Sequence, residues 1–179
     1  MHRILALVVL LAGFLPGPNL AADPTAVERG GELLMPFKKD LKSALMTGMT
    51  EGPAEAISVC RLEAPEIADR LSGDGVRVGR ASHRLRNPDN RVPAWAAPLL
   101  EAYVASPETR APVAVALDGD RVGYVEPILV APLCLACHGE TIEPGVQTRI
   151  DALYPEDEAV GFRTGDIRGI FWAEFAAGP

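Results

Sequence analysis

Residues 112–130, PVAVALDGDRVGYVEPILV, decide the fold of this chain. Two alternating apolar runs, 112–117 and 121–130, flank Asp118-Gly119-Asp120, a strong signal for a β-hairpin. A hairpin of this length calls for an antiparallel sheet and does not fit a helical bundle. Upstream, the pattern is helical. Val27, Leu34, Phe37, Leu41, Leu45 and Met46 predict an amphipathic helix over 25–50, weakened at Gly30-Gly31 and interrupted near Pro36. Ile57, Cys60 and Ala64 mark one face of a second helix over 53–64. Pro65 then opens a short third helix with Ile67, Ala68 and Leu71 inward, ended by Gly73. Val76 and Val78 read as a strand towards Ser82, 86–90 as a loop, and 93–106 as a helix with Trp95, Leu99, Leu100 and Tyr103 on one face. After the hairpin, loops at 154–157 and 161–165 precede a final strand over 167–175 carrying Ile170, Phe171, Trp172 and Phe175. Helices followed by an antiparallel sheet with one inserted helix define an α+β domain.

Just beyond the hairpin lies Cys134-Leu135-Ala136-Cys137-His138. Two thiols two residues apart, followed directly by histidine, are the order that attaches a c-type haem. Each thiol adds across a vinyl group, and His138 binds the iron as the proximal ligand. A thioredoxin-like redox pair would want a preceding strand and a long following helix, and would leave His138 without a role. A zinc site would need two more ligands, drawn only from Cys60, His83 and carboxylates.

The N-terminus agrees with this chemistry. His2-Arg3, an apolar core over 4–15, Pro16-Gly17-Pro18 and the small pair Ala21-Ala22 read as a secretory signal peptide over 1–22. The expected product is an exported, periplasmic bacterial protein with no membrane span after cleavage, and 23–179 form one domain. The chain has 179 residues, formal charge −7 and three cysteines. An acidic chain with scattered basic residues gives no reason to expect nucleic acid or an anionic membrane as partner. If haem takes Cys134 and Cys137, Cys60 is left single.

The second axial position is open on spacing alone. Candidates are Cys60, His83, Met35, Met46, Met49, water or nothing, and no methionine follows Met49. The methionines have the spacing of core residues. His83, within the basic run 80–86, reads as a solvated surface histidine. Cys60, on an apolar helical face, stands between ligand and buried inert thiol. Arg80, Arg84, Arg86, Arg163 and Arg168 are candidate partners of the haem propionates, although a solvated basic face is the plainer reading of each. Tyr124, Trp95 and Trp172 are expected in the core or against the porphyrin.

Several motifs in one order then carry a resemblance. They are Ala56-Ile57-Ser58-Val59-Cys60 with Ala64-Pro65-Glu66-Ile67-Ala68, Val78-Gly79-Arg80-Ala81-Ser82, Arg86-Asn87-Pro88-Asp89-Asn90, and Trp95. Tyr124-Val125-Glu126-Pro127-Ile128, Cys134 to Gly139, Tyr154-Pro155 and Gly165-Asp166-Ile167-Arg168-Gly169 complete the set. Over about 54–169 the chain resembles the family of exported single-haem domains with a PAS-like fold. That family includes a photosystem-associated cyanobacterial haem protein and the periplasmic sensor regions of histidine kinases. The resemblance implies a central antiparallel sheet with N-terminal and flanking helices, one covalent haem c, and Cys60 as the axial ligand opposite His138. It also implies redox sensing. Ala81 and His83 depart from the Thr and Lys of the family pattern without touching the iron ligands.

These readings give a non-enzymatic haem protein that senses redox state or a diatomic gas and passes its signal to a separate redox or signalling protein. The alternative is a periplasmic electron-transfer cytochrome, which an acidic surface would steer to a basic partner. A small peroxidase ranks last, because only His83 is available as a distal acid–base histidine.

Overall fold

The computed structural model describes residues 24–106 and 108–178. The expected signal peptide, 1–22, lies outside the described residues. The architecture is α+β. Helices α1 (Pro24–Glu51) and α2 (Pro53–Leu71) lead to strand β1 (Arg77–Ala81), helix α3 (Ala97–Ala105), the hairpin β2 (Val113–Leu117) and β3 (Arg121–Leu129). A short helical turn α4 (Leu135–His138), helix α5 (Pro144–Leu153) and strand β4 (Ile167–Ala176) complete the chain. The sheet is antiparallel in the order β1-β4-β3-β2, so the last strand lies in its interior. No helix among the described residues is long and apolar enough to cross a membrane.

The helices run through both prolines at which the sequence pattern predicts breaks. Pro36 lies inside α1 and Pro65 inside α2, so the expected second and third helices are one. Proline removes the hydrogen bond to the carbonyl four residues earlier. Here Pro36 and Glu32, and likewise Pro65 and Arg61, are all exposed. Each freed carbonyl therefore belongs to a solvent-facing turn, while the opposite face keeps its packing. The two helices meet closely at Gly48, where an added Cβ would lie 2.6 Å from the Ala56 Cα. Met35 and Met46, expected in the core, are instead 61% and 46% exposed.

The hairpin forms as the sequence predicts. Val113 pairs with Val125 and Leu117 with Arg121, and the connecting loop places Gly119 and Asp120 at φ 70° and 54°. The period-2 alternation divides the sheet into two cores. Val78, Ala114, Tyr124, Ala173 and Phe175 face Leu34, Phe37 and Ala44 of α1 and Ile67 of α2. Ala81, Val125, Ile167 and Ile170 face Ala96, Leu100 and Tyr103, with Trp95 and Trp172 packed against them. Within this second layer the buried Glu174 accepts a hydrogen bond from Trp95 Nε1 at 2.7 Å and pairs with Arg77 and Arg121 at 3.4 and 3.5 Å. Helix α3 begins at Ala97, later than the expected start at 93, and residues 93–96 form a turn closed by Ala96 N–H to Pro93 C=O at 2.8 Å. Helix α5 has no counterpart in the sequence reading. Glu143 caps it by accepting from Gly145 and Val146 N–H at 2.9 and 3.1 Å.

Two substitutions test this packing. Gly30 is buried directly beneath the Tyr124 ring, leaving no room for a side chain. Gly30→Ala should therefore cost about 1–3 kcal/mol by overpacking, despite alanine's better helix propensity. Glu174→Ala leaves the Trp95 indole N–H without its acceptor and should cost about 1–3 kcal/mol. Both are read from shifts of the urea unfolding midpoint at constant m-value.

Candidate functional site

At the end of the β3 ladder the register shifts between Ile128 and Leu129, and the chain leaves the sheet. Val130 N–H donates to Asp166 C=O at 3.0 Å, and Gly165 N–H donates back to Val130 C=O at 2.8 Å. The chain between these bonds carries the thiols. A 3-10 turn (Pro132–Cys134) runs into α4, putting Cys134 and Cys137 three residues apart on successive turns. Gly139 follows, where a Cβ would fall 2.7 Å from the Leu135 carbonyl oxygen. Its carbonyl accepts from Gly161 N–H at 2.8 Å, and that of His138 accepts from Phe162 N–H at 2.9 Å. The CLACH segment is thereby tied to the 161–162 loop by backbone bonds.

Cys134, Cys137 and His138 line a cavity of about 320 Å³, and Cys60 of α2 lines it as well. This volume lies in the range of cofactor sites, about 300–1,000 Å³. All three cysteines are half-buried and unbridged. The remaining lining is largely apolar, with Leu41, Leu45, Ile57, Ile128, Leu133 and Phe171. His138 Nδ1 donates to the Ala159 carbonyl at 2.6 Å, so Nε2 keeps its lone pair. Burial, reinforced by Arg168 and Arg86, pushes the His138 pKa down to about 3 and keeps the ring neutral. Burial also raises the Cys60 and Cys137 thiols, while Arg80 and Arg86 oppose this at Cys60 and Arg86 opposes it at Cys137.

The arginines correct the expectation of a solvated basic face. Arg80, Arg86 and Arg168 line the cavity and are half-buried. Arg86 is bound to Asp157. Arg168 donates to neutral acceptors, Ser82 Oγ at 2.6 Å and Arg84 C=O at 3.1 Å. Burial and the neighbouring Arg80 and Arg86 cations bring its pKa down to about 9. No hydrogen bond or ion pair engages the Arg80 side chain among the described residues, and its pKa is lowered by burial. Arg84 instead donates to the carbonyls of Glu158 and Val160. Arg163 is exposed and paired with Glu140.

The other candidates separate. His83 is exposed and outside this cavity, edge-on to Phe162 at 6.0 Å. Met49 lines the cavity; Met35 and Met46 do not. Tyr124, Trp95 and Trp172 sit in the sheet cores, away from the cavity lining. The sequence reading overlooked Asp157, Ala159 and Phe162. The Phe162 ring meets His138 edge-on at 6.3 Å, with the Arg84 and Arg168 guanidinium carbons 4.5 and 5.3 Å from its centroid. One carboxylate among three in a row, Glu156-Asp157-Glu158, and a lone aromatic after glycine carry no spacing signal. Only their nearness to the histidine in space gives them a role.

Comparison with known proteins follows this geometry. No curated protein matches the chain. The fold is similar to that in the crystal structure of the cyanobacterial heme-protein Tll0287, at 23% identity and a TM-score of 0.58, over 88% of this chain and 98% of that one. At this identity the likeness is one of fold. The family model for Tll0287-like proteins matches residues 24–175, and the chain therefore belongs to the Tll0287-like family.

Proposed function

We propose that this chain is an exported, periplasmic haem protein that holds one haem c covalently and senses redox state or a diatomic gas, without catalytic turnover. The observation that carries the reading is the convergence of Cys134, Cys137, His138 and Cys60 on one largely apolar cavity. Membership of a family whose structural relative is a heme-protein supports it.

The residues present fit the group. Cys134 and Cys137 would form the two thioether links, and His138 Nε2 and Cys60 Sγ would supply imidazole and thiolate donors suited to iron. Charge also fits. Lys42 lines the cavity from an exposed position. With Arg86 neutralised by Asp157 and Lys38 by Glu126, Arg80 and Arg168 are the half-buried cations there without a carboxylate among the described residues. A porphyrin bearing two propionates balances them. Haem bound there supplies a one-electron couple and an iron site for small gases.

The chain's own residues would do the rest. The Ala159 carbonyl holds the proton on His138 Nδ1 and so directs Nε2 inward. Apolar side chains from α1, α2 and β4 keep water from the cavity wall. Cys60 belongs to α2, which packs on both α1 and α5, so a change in its ligation would reach α1 as well as α5, against which Cys137 also packs.

The full chain, made in a host that exports and matures c-type haem, should run on a denaturing gel with haem attached. The Cys134→Ala/Cys137→Ala double variant should lose all of that stain. Cys60→Ala should abolish the thiolate signature of the ferric absorption spectrum; an unchanged spectrum removes Cys60 as ligand. In a redox titration of the wild type, ligand change on reduction supports sensing. A reversible couple with constant ligation favours an electron carrier instead.

A further inference from the structure

The pair Arg86–Asp157 lies at the edge of the cavity. Its side chains are only 11% and 6% exposed, and it joins the loop after β1 to the loop after α5. Arg86 Nε and Nη2 make a forked contact with the Asp157 carboxylate at 3.1 and 3.0 Å. The same Nη2 donates to the Cys137 carbonyl at 2.6 Å and reaches the Ala159 carbonyl at 3.4 Å. Asp157 Oδ1 in turn accepts from Ala159 N–H at 3.0 Å. Ala159 is the residue whose carbonyl receives the His138 Nδ1 proton.

One ion pair therefore grips both ends of the His138 ring's support. It fixes the backbone immediately before the histidine and both backbone groups of the residue that accepts its proton. A buried ion pair is a poor device for stability alone, since well-packed apolar residues replace such pairs at little or no cost. Its bonds here are spent on backbone groups around a single imidazole. We propose that Arg86 and Asp157 are positioning residues for His138, setting the ring's orientation and the strength of its Nδ1–H bond. Groups of this kind commonly orient a metal-binding histidine and tune its basicity. The proposal rests on the haem reading above.

The test uses the haem-loaded full chain, with midpoint potential and ferric electron paramagnetic resonance as readouts. A firm bond from Nδ1–H to a carbonyl makes the imidazole a stronger donor and favours ferric iron. Loosening it should raise the potential. Electrostatics alone predicts the opposite for Arg86→Gln, because removing a cation beside the site lowers the potential. Arg86→Gln should therefore raise the potential and shift the g values. Arg86→Lys, which keeps the charge but not the fork, should lie between it and wild type. Asp157→Asn, milder in shape, should shift the g values in the same direction. Arg163→Gln, which breaks the exposed pair with Glu140, should leave both readouts unmoved.

A fall in potential for Arg86→Gln, or variants that melt lower while keeping wild-type g values, overturns the proposal and leaves the pair a structural clamp. Haem staining separates this from failure of the underlying reading. A wild type without attached haem sinks both, whereas a haem-loaded wild type with insensitive variants sinks only the positioning role.

Discussion

The nine-residue ladder between β3 and β4 is the constraint on which this molecule depends. It pairs Arg121 with Ala176 at one end and Leu129 with Ile167 at the other. Everything between those strands, 130–166, is a loop closed by two neighbours of one sheet. That loop contains both thiols of the CLACH motif, His138, the Ala159 carbonyl and Phe162. Closing a long segment costs little more entropy than closing a short one, because the cost rises only with the logarithm of length. The ladder can therefore hold a large insertion, which supplies Leu133, Cys134, Cys137, His138 and Tyr154 to the cavity wall. Most of the lining comes from the sheet and the helices packed on it: Leu41 and Leu45 on α1, Ile57 and Cys60 on α2, Arg80 on β1, and Arg168 and Phe171 on β4.

Much of this was legible in the residues. The hairpin signal, the alternation of β1, the apolar run of β4 and the amphipathic periods of α1 and α3 all act locally, so the sequence carries them openly. The two helix prolines misled because position on a helix face, and not proline itself, decides whether the lost hydrogen bond matters. Pro36 and Pro65 both lie on the wet side. Helix α5 was overlooked although Glu143-Pro144 is a fair start signal and Val146 and Ile150 have helical spacing. Its apolar face is short, Val146, Ile150 and Leu153, and it is completed by Ile57 of α2.

The site divides along the same line. Cys134, Cys137 and His138 fall within five residues, so they can be singled out from spacing. Cys60 cannot be assigned that way. Its helical face also carries Ile57 and Ala64, both buried, so packing and ligation predict the same pattern. The arginines were further from reach. Arg80, Arg84 and Arg86 form a run that looks like a solvated surface, yet in space one faces the cavity without a partner, one binds carbonyls of the 158–160 loop, and one binds Asp157. Burial of a charge is decided by what closes over it. Here that cover comes from residues seventy positions later in the chain.

Pro65 has a mechanical consequence. Without an N–H at that position, the carbonyl of Arg61 loses the helical bond it would otherwise accept, and Arg61 is the residue directly after Cys60. The turn that presents the thiol is thus tied to the remainder of α2 by one backbone hydrogen bond fewer than an uninterrupted turn. The helix is compliant at the turn that carries Cys60. A small displacement of Cys60 can be taken up as a local bend, with Ala64 and Ile67 still seated in the core.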